Sequence, residues 1–142
     1  MPTSTASAVW EGGLKNGNGK FNAESGAFQG SYSFGTRFEG EKGTNPEELI
    51  AAAHAACLSM ALAAGLEAAG TPPTRIATTA KCTVEKVDDG FTITKMRLEV
   101  RGVVPGVDAA RFTQAAQAAR DGCPVSKALK GNVQFDLDAR LA

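Results

Sequence analysis

The residues with chemistry to offer are few: Cys57, Cys82 and Cys123, the single His54, the arginine at 37 and the glutamate at 47. Cys57 closes the run Ala51-Ala52-Ala53-His54-Ala55-Ala56-Cys57, inside a stretch from Leu49 to Ala64 that carries no acidic or basic residue. A cysteine there reads as a small apolar packing residue or as a nucleophile. Only the thiolate attacks, burial raises a thiol's pKa, and a mid-helix position has no free backbone amides to offset that. A reactive Cys57 therefore needs a cation brought close in space. Cys123 sits in Asp121-Gly122-Cys123-Pro124-Val125-Ser126, just before a proline-opened helix. Free N–H groups and the positive end of that helix favour a thiolate. A helix junction also opens locally at low cost, which suits a thiol that must move to meet an oxidised partner. Packing and chemistry are balanced at this position. Cys82, on the inward face of an alternating strand, reads as core.

His54 and Cys57 are spaced i, i+3, so one metal ion could face both. With no CxxC, no HxxxH and one histidine in the chain, a zinc site would need ligands scattered over three elements, and a packed histidine is the better reading. The Asn16-Gly17-Asn18-Gly19 run has the glycines of a phosphate loop but no helix after it, so it is turn chemistry. The candidate cation is Arg37, in Gly35-Thr36-Arg37-Phe38-Glu39-Gly40-Glu41, the first arginine of the chain. Alone it reads as a solvated loop residue, and Glu47 alone as an exposed acid placed for a helix dipole.

The elements that must position these residues have clear signals. Asn45 can cap a helix, Pro46 suits its first position, and Glu47 and Glu48 complement its dipole. That helix runs to about Ala69, with Gly70 and Pro72-Pro73 to end it. It is apolar or small all round from Leu49 to Ala64, so it should be buried on most sides. Before it, Thr5 to Trp10, a segment around Phe21 and Phe28 to Phe34 read as short strands joined by glycine-rich turns. After it, Thr74 to Val87 and Phe91 to Val103 form a hairpin around Asp88-Asp89-Gly90. The apolar phase slips between Ile93 and Met96, which predicts a β-bulge near Thr94-Lys95. Asp108 caps a second helix ending at Gly122, Pro124 opens a third that closes at Gly131, and Val133 to Ala139 alternates as a last strand. The order βββ-α-ββ-α-α-β gives an α+β fold with antiparallel sheet around a central helix.

The 142 residues, without repeat, linker or composition break, fit a single domain over 1–142. Fifteen basic residues balance fifteen acidic ones, which leaves no electrostatic footprint for nucleic acid and makes self-association plausible. The opening Met1-Pro2-Thr3-Ser4-Thr5-Ala6 has no basic start followed by an apolar core. The Leu49–Ala64 run is half alanine and interrupted by His54 and Ser59, so it reads as a core helix rather than a membrane span. Three cysteines without an export signal point to a reducing, cytoplasmic setting in which a disulfide is transient.

Two blocks together resemble the OsmC/Ohr family of thiol-dependent hydroperoxide peroxidases. One is Thr36-Arg37-Phe38-Glu39-Gly40-Glu41-Lys42-Gly43-Thr44-Asn45-Pro46-Glu47-Glu48-Leu49-Ile50, continuing through Ala52-Ala53-His54-Ala55-Ala56-Cys57; the other is Gly122-Cys123-Pro124-Val125-Ser126. The Thr-Arg-Phe-Glu-Gly loop is similar to the OsmC branch; in the Ohr branch the arginine comes from the opening strands, where this chain has none. The resemblance implies that Cys57 is the peroxidatic thiol, Cys123 the resolving thiol, and Arg37 with Glu47 the activating pair. It implies a Cys57 sulfenic acid, a Cys57–Cys123 disulfide, and its reduction by a small or lipoyl dithiol, with no metal, haem or flavin. Leu58, Met60 and the phenylalanines would give an apolar wall suited to an organic hydroperoxide.

Given those roles, Glu47 and Cys57 are ten helical residues apart, about 15 Å along the axis. An antiparallel partner helix would bring them together across a two-fold axis, so the expectation is an intertwined homodimer in which Arg37 and Glu47 act on the other subunit's Cys57. Two non-enzymatic readings stay open: a small-ligand binding module with the cysteines as packing, and a stress-induced structural dimer. Both leave the joint placing of Arg37, Glu47, Cys57 and Cys123 without a reason.

Overall fold

The computed structural model describes residues 1–142, in two compact units, Met1–Leu49 and Ile50–Ala142. In the first, β1 (Ala6–Glu11), β2 (Asn18–Ala23) and β3 (Gln29–Tyr32) form an antiparallel sheet in the order β1-β2-β3. Its aromatic residues stack across the strands: the Tyr32 ring lies 5.5 Å from Trp10 and 5.9 Å from Phe21, centroid to centroid. Gly19 is required between them, because a β-carbon there would sit 2.5 Å from the Tyr32 ring.

The third strand is shorter than the sequence suggests. It stops at Tyr32, and Ser33 starts a five-residue helix, α1 (Phe34–Phe38), that the expected element order lacks. The cause is a reciprocal cap. Ser33 Oγ accepts from the Thr36 N–H at 3.2 Å, and Thr36 Oγ1 accepts from the Ser33 N–H at 2.9 Å. Arg37 is therefore a helical residue rather than a loop residue.

Helix α2 (Pro46–Ala68) begins in the first unit and continues through the second. Asn45 caps it as expected, its Oδ1 accepting from the Glu48 N–H at 2.8 Å, and Gly70 ends it at φ +86°. The helix is long and apolar enough to cross a membrane by composition. Its sides differ, however. His54, Leu58, Leu62 and Leu66 are buried, whereas Ala52, Ala53, Ala56, Met60 and Ala64 are exposed. The expected all-round burial is thus confined to one stripe, at the i, i+4 spacing that stacks side chains on one face.

The second unit builds its core on that stripe. Strands β4 (Arg75–Val87) and β5 (Gly90–Val103) pair antiparallel, and Thr94 is the unpaired residue where the register slips, between Thr83↔Lys95 and Val84↔Ile93. The predicted bulge is there. After β5 the chain crosses through α3 (Ala109–Gly122) and α4 (Pro124–Leu129) before β6 (Gln134–Leu141). Strand β6 pairs with β5 in parallel, which corrects the expectation of a wholly antiparallel sheet: a helical crossover returns the strand in the same direction, as a tight hairpin cannot. Leu58, Leu62, Leu66, Met96, Leu98, Val100 and Phe112 make the buried core. Gly102 admits the Phe112 ring, which a β-carbon would meet at 2.5 Å.

Candidate active site

In the first unit, helix α1 and the start of α2 hold an ion pair. Arg37 donates from Nε to Glu47 Oε1 and from Nη2 to Glu47 Oε2, both at 2.9 Å, so the fork of the guanidinium matches the carboxylate edge to edge. Asn45 ties the two elements, its Nδ2 donating to the Thr36 carbonyl at 3.0 Å while its Oδ1 caps α2. Glu47 is 5% exposed, against the reading of an exposed first-turn acid. The Arg37 side chain keeps 36% of its surface, so its free edge is available to a further anion. Beside it lies a hollow of about 260 Å³ walled by Trp10, Tyr32, Phe34 and Phe38.

In the second unit, mid-α2 and the start of α4 bring two sulfurs together. Cys57 and Cys123 are thiols whose Sγ atoms lie 2.8 Å apart. A disulfide needs about 2.05 Å, so little movement separates contact from bond. Cys123 is the N-cap of α4 and is fully buried. Burial pushes its thiol up, but hydrogen bonds from Cys57, from the Ser126 N–H and hydroxyl and from the Val125 N–H outweigh that, and the net shift is below the usual cysteine range. Cys57 moves the other way: burial raises it, the neighbouring Cys123 raises it further, and one hydrogen bond from Val125 opposes both.

Two residues outside the expected set complete this cluster. The imidazole Nε2 of His54 meets Ser126 Oγ at 2.7 Å, and both side chains are buried. The His54 ring stands edge-on to Phe135, centroids 5.3 Å apart. Its Nδ1 has no partner, and burial holds the ring below its ordinary pKa, in the neutral form. The sequence does carry a signal for this pair: His54 stands three residues before Cys57, and Ser126 three after Cys123.

The remaining expectations divide. Cys82 is half-buried on β4, opposite Met96, within reach of the core as predicted. Leu58 is fully buried and Met60 is 76% exposed, so neither walls a pocket within this chain.

A family model described as OsmC-like protein matches residues 39–138. The chain is 55% identical over 130 residues to peroxiredoxin OsmC of Escherichia coli, with 91% of each covered. It is 33% identical over 99 residues to an organic hydroperoxide resistance protein of Xanthomonas axonopodis pv. citri, covering 69% of this chain and 68% of that one. Among solved structures, the organic hydroperoxide resistance protein OhrB of Bacillus subtilis superposes with a TM-score of 0.77 at 28% identity, over 96% of this chain and 98% of its own.

Proposed function

The chain belongs to the OsmC-like protein family, and on that premise we propose that it is a cytoplasmic cysteine-based peroxidase that reduces organic hydroperoxides to alcohols. The observation that carries this reading is the 2.8 Å contact between Cys57 and Cys123. Two thiols from separate elements, held short of bonding, suit a transient disulfide. The names of the relatives, peroxiredoxin and organic hydroperoxide resistance protein, point the same way.

In the proposed cycle the Cys57 thiolate attacks the terminal peroxide oxygen. The O–O bond breaks, the alkoxide leaves and takes a proton to become the alcohol, and Cys57 becomes a sulfenic acid. Cys123 then attacks the Cys57 sulfur. The S–S bond forms, the S–O bond breaks, and hydroxide leaves with a proton as water. A dithiol, for which a lipoyl group is suitable, restores both thiols by exchange and is itself oxidised. The sum is two thiols and one hydroperoxide giving a disulfide, an alcohol and water.

Arg37, held by Glu47, is the proposed activator of Cys57. Because burial and Cys123 raise Cys57, its thiolate needs outside help, and the free guanidinium edge can supply it while orienting the peroxide. The helical offset of about 15 Å between positions 47 and 57 supports a homodimer in which the arginine acts across the subunit boundary. The exposed face of Ala52, Ala53, Ala56 and Met60 is a suitable surface for a second copy. The aromatic hollow beside Arg37 favours a hydroperoxide with an apolar group over hydrogen peroxide. The fold likeness over 96% of the chain supports treating residues 1–142 as one domain.

The test is to add a slight excess of organic hydroperoxide to the reduced protein and map its thiols by alkylation and mass spectrometry. The expected product is a Cys57–Cys123 disulfide with Cys82 still alkylated. Three reduced thiols after treatment would end the peroxidase reading and return the binding module to first place.

A further inference from the structure

The His54–Ser126 contact has no part in the cycle above, yet it leads directly to its sulfurs. Helix α2 carries His54 and Cys57 on one face, three residues apart; Cys123 caps α4, which presents Ser126 from its first turn. The contacts run in a chain: imidazole Nε2 to Ser126 Oγ at 2.7 Å, Ser126, in the first turn of the helix that Cys123 caps, to the Cys123 sulfur, and sulfur to sulfur at 2.8 Å. Histidine and serine are both buried, so this contact is worth more than a solvated one, and either group unpaired would be costly.

The pattern of partners selects one arrangement. Ser126 has one hydroxyl hydrogen, which can go to the histidine or to the sulfur. With the histidine hydrogen on Nε2, Ser126 Oγ accepts it and turns its own hydrogen to Cys123. The partnerless Nδ1 is then a bare lone pair against apolar surroundings instead of an orphaned N–H donor.

We propose that His54 and Ser126 are positioning residues for the resolving thiol: the imidazole N–H fixes the serine hydroxyl, which in turn holds the Cys123 sulfur as an oriented nucleophile facing Cys57. This rests on the peroxidase reading and deepens it. The step they serve is the second one, in which the Cys123 sulfur supplies the electron pair of the new S–S bond, the Cys57 S–O bond breaks, and hydroxide leaves and is protonated to water. Peroxide cleavage at Cys57 involves neither residue.

The experiment is single-turnover kinetics of the reduced protein with an organic hydroperoxide, trapping the Cys57 sulfenic acid with a dimedone-type reagent and following disulfide formation separately. Ser126→Ala should slow disulfide formation at least about tenfold, the loss expected of a hydrogen bond to a charged acceptor, and let the trapped sulfenic acid accumulate. His54→Leu should do the same, whereas His54→Gln, which keeps an N–H at that reach, should restore most of the rate. Equal disulfide rates in Ser126→Ala, His54→Leu and the parent protein would overturn the proposal, as would equal slowing by His54→Leu and His54→Gln, which would mark a packing role. If Ser126→Ala does not fold, the two His54 variants decide alone. Failure of the peroxidase reading looks different: neither a Cys57 sulfenic acid nor a Cys57–Cys123 disulfide forms in the parent protein.

Discussion

Glu47 meets the Arg37 guanidinium with both carboxylate oxygens, each at 2.9 Å, and is itself almost wholly buried while Arg37 is not. The carboxylate therefore fixes the guanidinium plane and leaves its other edge free. A lysine would keep the charge and lose the fork. Arg37→Lys is expected to slow Cys57 oxidation about 10- to 100-fold, and Glu47→Gln by a smaller factor, both read by single-turnover oxidation of Cys57. Parent-like rates in Arg37→Lys would show that the pair is structural.

The pH dependence of that oxidation has a definite sign. Only the thiolate attacks, so the rate rises as pH climbs through the Cys57 pKa. Burial and Cys123 raise that value, and a nearby guanidinium lowers it. The Arg37→Ala protein should show its rate midpoint shifted to more alkaline pH than the parent. A midpoint that does not move would separate Arg37 from the ionisation of Cys57.

Composite sites can be tested by mixing. Cys57→Ser subunits should be inactive in peroxide reduction, and Arg37→Ala subunits strongly slowed at neutral pH. Unfolded and refolded together, they should regain activity if Arg37 works across the subunit boundary, since each mixed dimer then holds one complete site. No recovery in a demonstrated mixed dimer would place Arg37 and Cys57 of one site in the same subunit. Replacing Met60 by Asp on the exposed face of α2 should weaken the dimer, which sedimentation would register.

Burial holds His54 below its ordinary pKa, so the folded protein binds this proton less readily than the unfolded chain. The associated stability is fully present above the unfolded value of about 6.5 and is lost as pH falls below it. Thermal melts from pH 7 to 5 should decline in the parent protein, and less steeply in His54→Gln. Parallel slopes would show that carboxylates alone set the acid response.

What the sequence showed of this follows from the range of the interactions. The start of α2 was legible because Asn45, Pro46 and Gly70 act on their immediate neighbours, and the bulge because Ile93 and Met96 break a period of two. Helix α1 was legible in principle from Ser33 and Thr36, three apart, but the apolar Phe34 suggested a continuing strand. The direction of β6 depends on a crossover through α3 and α4, which no local pattern in Val133 to Ala139 encodes. The roles proposed for Arg37 and Glu47 came from family resemblance, since in the sequence each taken singly reads as an ordinary surface residue. His54 and Ser126, 72 positions apart, meet only through tertiary packing.

The Cys57–Cys123 contact spans 66 positions of sequence. A bond there ties the middle of α2 to the head of α4 and encircles the whole β4–β5 hairpin and α3. By chain-entropy arithmetic, closing a loop of that length removes about 4 kcal/mol of freedom from the unfolded ensemble. Each turnover of the proposed cycle would thus pass the protein between an open chain and a looped one. Its resistance to unfolding would follow its redox state, with the oxidised molecule, which awaits its reductant, the harder of the two to melt.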